Sequence, residues 1–181
     1  MIGPVVVPPP VDTRVLVVGQ APGPREGALG RPFAWTAGKT LFKWFGTIGP
    51  DEDALRARIY FAAVCRCFPG KSSSGGDRVP APDEIARCRP FLAREVALLE
   101  PELVIPVGRL AIQEVLGVKG PLEDVIGTTH RHDLCGHETD VIPLPHPSGA
   151  STWFRREPGV TLLGRALATI GRHEAWRAAV G

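Results

Sequence analysis

Two hydrophobic patterns alternate along the chain. Short runs of consecutive apolar residues are separated by longer stretches in which every third or fourth position is apolar. The runs Arg14 to Gly19, Ile59 to Val64 and Leu103 to Val107 read as strands buried on both faces, and Asp140 to Leu144 reads as a fourth. Helical spacing appears from Gly38 to Ile48, with Leu41, Phe42 and Phe45 on one face, and in a short piece from Glu52 to Arg58. It returns from Asp83 to Glu100, where Ile85, Cys88, Leu92, Val96 and Leu99 form a stripe that Pro101 ends. A short helix between Gly108 and Gly117 and a last one from about Val160 to Ala179 complete the set, while residues 121–137 look irregular, with room for one edge strand. Strands alternating with helices predict an α/β protein of three layers, αβα, around a central, mostly parallel four-stranded sheet. The expectation is one domain over residues 1–181, with residues 1–12 as an extended arm carrying Pro8-Pro9-Pro10.

Composition narrows the class. With 181 residues, 44% hydrophobic and 22% charged, the chain can bury an ordinary core. Its net charge of +2 is compatible with nucleic acid without demanding it. No stretch reaches the roughly 18 consecutive apolar residues of a membrane span, and no signal-like segment opens the chain. A cytoplasmic, nucleoid-associated protein without a membrane partner is expected. The four cysteines, Cys65, Cys67, Cys88 and Cys135, then read as thiols.

Chemistry concentrates where strands end. The first strand breaks at Gly19 into Gly19-Gln20-Ala21-Pro22-Gly23, followed by Gly30-Arg31-Pro32-Phe33, and the fourth runs into His146-Pro147-Ser148. Loops at the carboxyl ends of parallel strands are where open α/β sheets place ligands. Gly38-Lys39-Thr40 looks like the end of a phosphate-binding loop, but Phe33 stands where its first glycine must be. His130, His132, Cys135 and His137 lie close together without the spacing of a zinc finger, so a polar loop is the better reading.

The two loops together resemble the uracil-DNA glycosylase superfamily, especially its family 4 and family 5 branches. The likeness continues through Cys88-Arg89-Pro90-Phe91-Leu92 and Pro101-Glu102-Leu103-Val104-Ile105-Pro106-Val107-Gly108, covering about Arg14 to Ser151. It implies an enzyme that everts a damaged base, most naturally uracil, from DNA and hydrolyses its N-glycosidic bond. By the same resemblance His146 would donate a hydrogen bond to the departing base and Phe33 would stack on it. Gly19, Gln20 and Ala21 would read the base edge and hold water, while Pro147, Ser148, Gly149 and Ala150 would meet DNA in the minor groove.

Departures from the family pattern bear on mechanism. Family 4 carries a glutamate where this chain has Gln20, and family 5 an aspartate where Ala34-Trp35-Thr36-Ala37 stands. Glu26 is the acid left in the loop and is the candidate water-activating base, a solvated loop acid being the competing reading. The family's uracil-reading asparagine is replaced by Ala62 or a neighbour. Family 4 also holds a four-iron cluster on four cysteines; here Cys88 matches one, Arg66 stands at another, and the first fourteen residues contain none. No cofactor is therefore expected. The reading is a monofunctional, monomeric DNA glycosylase. Two alternatives stay open: a non-catalytic protein that binds damaged or abasic DNA, and a glycosylase for another base such as hypoxanthine.

Overall fold

The computed structural model describes residues 3–73, 75–149 and 151–181. At its centre is β1 (Val15–Gly19), buried at all five positions. Parallel to it run β2 (Tyr60–Ala63) on one side and β3 (Leu103–Pro106) on the other, with Val17 opposite both Phe61 and Ile105. The sheet continues through β5 (His137–Val141), parallel to β3, and ends on β4 (His130–Leu134), antiparallel to β5, giving the order β2-β1-β3-β5-β4.

The sheet thus has five strands where the sequence predicts four, and residues 121–137 contain most of the additional hairpin. Its pattern is hard to see because His130, Arg131, His132 and Asp133 are polar on both faces of an edge strand. The turn is also unusual: Cys135 (φ +56°) and Gly136 (φ +85°) form a tight two-residue loop, with the Asp133 carboxylate accepting from Gly136 N–H at 2.7 Å. That loop type ordinarily carries Asn-Gly or Asp-Gly.

Seven helices fill the outer layers among the described residues. They are α1 (Glu26–Leu29), α2 (Thr36–Phe45), α3 (Glu52–Arg56), α4 (Pro82–Leu99), α5 (Arg109–Leu116), α6 (Gly159–Arg172) and α7 (Glu174–Val180). The last two replace the single C-terminal helix expected from the pattern. His173 leaves helical geometry (ψ 135°) and its Nδ1 accepts from Ala175 N–H at 3.2 Å, so one helix stops and the next is capped at the same residue. The turn brings Trp176, fully buried, against Phe45 with ring centroids 5.1 Å apart. The described residues of the N-terminal arm form neither helix nor strand, and Val6 docks through a 2.8 Å bond from its N–H to the Arg66 carbonyl. No helix among the described residues is long and apolar enough to cross a membrane.

Parallel strands place their following loops at one end of the sheet. Beyond β1, the Gly19 and Gln20 carbonyls accept from Val64 and Cys65 N–H at 2.9 and 3.0 Å, which ties the first loop to the exit of β2. Beyond β5, Leu144 pairs with Val107, and its carbonyl accepts from Gly108 N–H at 2.9 Å. The chain therefore delivers residues 145–149 to the edge where residues 20–35 already lie.

Candidate active site

A cleft of about 410 Å³ opens at that edge. Gly19, Gln20, Ala21, Glu26, Phe33, His146 and Ser148 line it, as do Ala63 from β2 and Asp77 and Val79 from the β2–α4 connection. Its size suits one small ligand with a few converging polar groups.

Phe33 is held in place by its backbone. Its φ of +54° is costly for a residue with a side chain, and surrounding contacts impose it. From α3, Arg56 donates to the carbonyls of Pro32 (2.9 Å) and Phe33 (2.8 Å) and to Glu52 (2.8 Å), while its guanidinium lies 4.4 Å from the Phe42 ring centroid. The Phe33 ring is turned onto β1's last residue, where a Cβ on Gly19 would come within 2.6 Å of it. That glycine is required by close approach. An edge contact to Phe61, 6.3 Å between centroids, backs the ring from the sheet side.

Glu26 is buried, and its two carboxylate oxygens accept Gly23 N–H at 2.9 Å and Ala34 N–H at 2.8 Å. It thereby links the two ends of the first loop. Burial pushes its carboxyl above the usual range, opposed by the backbone N–H groups and by Arg56. Glu26→Ala leaves two loop amides without acceptors and is expected to cost about 2–4 kcal/mol of stability, read from urea unfolding.

His146 enters from the opposite wall against Gly108, where a Cβ would lie 2.9 Å from the imidazole. Its Nδ1 accepts from Ser148 N–H at 3.2 Å, which leaves Nε2 as the protonated nitrogen of the neutral ring. Burial lowers its pKa from the ordinary 6.5, with the Asp77 charge opposing. The site therefore offers a neutral N–H donor.

The remaining expected residues divide. Ala62 is fully buried within β2, and its neighbour Ala63 meets the cleft instead, because successive side chains on a strand point to opposite faces. Pro147 is buried, Gly149 is exposed, and neither lines the cleft; Ala150 lies outside the described residues. The sequence reading missed the β2–α4 connection, which brings Pro69, Gly76, Asp77 and Val79 to the cleft. Its position after β2, next to the strand that carries the first loop, was the available signal. Trp35 was missed as well. It is 39% exposed at the cleft, with the Arg25 guanidinium 4.2 Å from its ring centroid and Lys39 at 5.9 Å.

The cysteines do not fit a four-iron cluster. Cys65 and Cys88 are both buried, and the Cys65 thiol is pushed up to about 12, by burial first and then by Cys88. Arg66 is 3% exposed between Cys65 and Cys67, ion-paired to Glu95, with Nε and Nη1 lacking partners. Cys135 sits in the β4–β5 turn, and no group of three or more metal-binding side chains converges among the described residues. Two of the three histidines near Cys135 are engaged elsewhere: His130 bonds the Val125 carbonyl at 2.9 Å and His137 the Pro101 carbonyl at 3.1 Å.

The fold and cleft define a three-layer α/β protein whose first and last parallel strands carry the two halves of one cleft. The uracil DNA glycosylase superfamily matches residues 6–167, and the chain belongs to it. A type-4 uracil-DNA glycosylase of Pyrobaculum aerophilum is 28% identical over 138 residues, covering 74% of this chain and 66% of that protein. One from Thermotoga maritima is 32% identical over 139 residues, covering 76% and 66%. A type-5 uracil-DNA glycosylase of Pyrobaculum aerophilum is 30% identical over 127 residues, covering 63% and 54%. The match thus spans just under two thirds of the type-4 relatives' length.

Proposed function

We propose that this protein is a monofunctional DNA glycosylase that takes an everted base, uracil first among candidates, and hydrolyses its bond to deoxyribose. One observation carries the reading: Phe33 and His146, 113 positions apart in the sequence, line the same cleft beside Gln20. The type-4 and type-5 relatives, named for uracil, support the choice of base. A planar base fits against the Phe33 ring, and the developing negative charge on its oxygen meets the His146 Nε2–H. Gln20 orients water through its amide, without removing a proton. Ser148 fixes the imidazole through its backbone N–H and, with Gly149, faces the minor groove. DNA is the partner and a single copy of the chain acts alone.

Trp35, Arg25 and Lys39 extend the site along the strand: an exposed indole between two cations stacks on a base and attracts the phosphates. Trp35→Ala is expected to weaken binding of single-stranded DNA about tenfold, measured by fluorescence anisotropy.

A second reading is favoured by the engagement of both Glu26 oxygens with backbone N–H groups, which leaves that carboxylate less open to a water. The protein would then bind damaged or abasic DNA without turnover. Oligonucleotides carrying uracil, hypoxanthine or an abasic site separate the readings. Alkali-labile product from the uracil strand supports the glycosylase, product from the hypoxanthine strand alone shifts the substrate, and tight abasic binding without product from any base supports the binder.

A further inference from the structure

We infer that Asp77, in the connection between β2 and α4, is the carboxylate that takes the proton from the attacking water, which rests on the glycosylase reading above. Glu26 and Asp77 are the acids among the described residues lining the cleft. Glu26 has each oxygen occupied by a backbone N–H and is buried, so it serves the loop. Asp77 differs in both respects. Its side chain is 42% exposed, Oδ1 meets Lys71 Nζ at 2.7 Å, and Oδ2 is turned to the first loop, 3.7 Å from where a Cβ on Gly23 would sit. An exposed Lys–Asp pair is worth little and exchanges readily with water.

The segment is built to hold that carboxylate. Lys71 and Asp77 form an antiparallel bridge, closed by Ser72 N–H to the Gly76 carbonyl (2.8 Å) and Arg78 N–H to the Gly70 carbonyl (2.9 Å). The next residue anchors it to α4: Arg78 meets both oxygens of Glu84 at 2.8 and 2.9 Å, and Glu84 accepts from Ala81 N–H at 2.7 Å. The Arg78 hydrogen bonds hold the Glu84 carboxyl well below the usual range. Asp77 also acts on His146 through its charge, which places both groups in one electrostatic field across the cleft.

In the step, the water oxygen bonds to C1′ of the deoxyribose while the C1′–N bond breaks and its electron pair leaves with the base. One water proton passes to the Asp77 carboxylate and then through solvent to the released base. The products are an abasic sugar with a hydroxyl on C1′ and the free neutral base. Before proton transfer, the carboxylate's negative charge also opposes the positive character growing on the sugar.

The test compares single-turnover base release from a uracil-containing oligonucleotide by the wild-type protein, Asp77→Asn, Asp77→Ala and His146→Ala. Affinity is measured in parallel on a non-cleavable 2′-fluoro-deoxyuridine strand. Asp77→Asn is expected to slow release about 100-fold or more while binding changes by less than about threefold. Added formate restores part of the Asp77→Ala rate and none of the His146→Ala rate, a rescue that a merely structural role would not show. Wild-type activity with Asp77→Asn within about threefold of it overturns the inference and leaves the glycosylase reading standing, as does a loss confined to binding. A wild-type protein that releases no base overturns both.

Discussion

His146→Ala is expected to lower single-turnover release of uracil by about 10²- to 10³-fold, the effect of removing one aligned donor from a developing oxyanion. The geometry makes this a rate effect. In the proposed glycosylase the base is held mainly by the Phe33 ring and the walls of the cleft, whereas the Nε2–H strengthens its bond only as the glycosidic bond breaks. Affinity for a non-cleavable uracil strand should therefore change little.

The pH dependence has a definite sign. Burial lowers the imidazole pKa from 6.5, so the neutral donor persists as the solution falls past the value at which a free histidine would protonate. Stability follows the same linkage: the unfolded chain binds the proton first, so His146 subtracts from stability as pH falls below 6.5 toward the lowered folded value. An NMR titration of the ring should show the Nε2-protonated tautomer at neutral pH and a midpoint below 6.5.

Gly38→Ala is the other large effect, expected to cost about 3 kcal/mol or more and to displace the Phe33 wall of the cleft with it. A Cβ at Gly38 would lie 1.7 Å from the Phe33 carbonyl oxygen and 2.5 Å from its carbon. Neither atom can withdraw, because that carbonyl is also the acceptor for Arg56 and its residue already holds a positive φ. Phe33 must move or α2 must open. Thermal unfolding of the variant reads the cost, and loss of DNA affinity reads the displaced ring. The glycine that made Gly38-Lys39-Thr40 look like a phosphate loop is thus accounted for by contact with the first loop.

The readable part of this chain was the part governed by local pattern. Three buried strands announce themselves as apolar runs, and their parallel arrangement follows from the helices between them. The loops after Gly19 and before Ser148 could be recognised as halves of one site because parallel order puts strand exits on one side. What escaped depends on contacts between distant residues. Nothing near Glu26 says that its oxygens will meet Gly23 and Ala34, and Arg56 lies 23 positions beyond the carbonyl of Phe33 that it holds. Asp77 sits in a run of glycine and serine that carries no period, so its place above the first loop is visible only once Arg78 is seen clipped to Glu84. The β4–β5 hairpin was hidden by polar faces, and the break at His173 by a histidine acting as a cap.

The central claim, that this cleft accepts an everted base and releases it, meets its most direct test in product analysis of one reaction. A uracil-containing single strand is incubated with excess protein, and both the free base and the strand are measured. Free uracil is expected in an amount equal to the abasic strands formed, with the phosphodiester backbone unbroken until alkali is added. Strand that remains bound and intact, with its uracil in place, would contradict it.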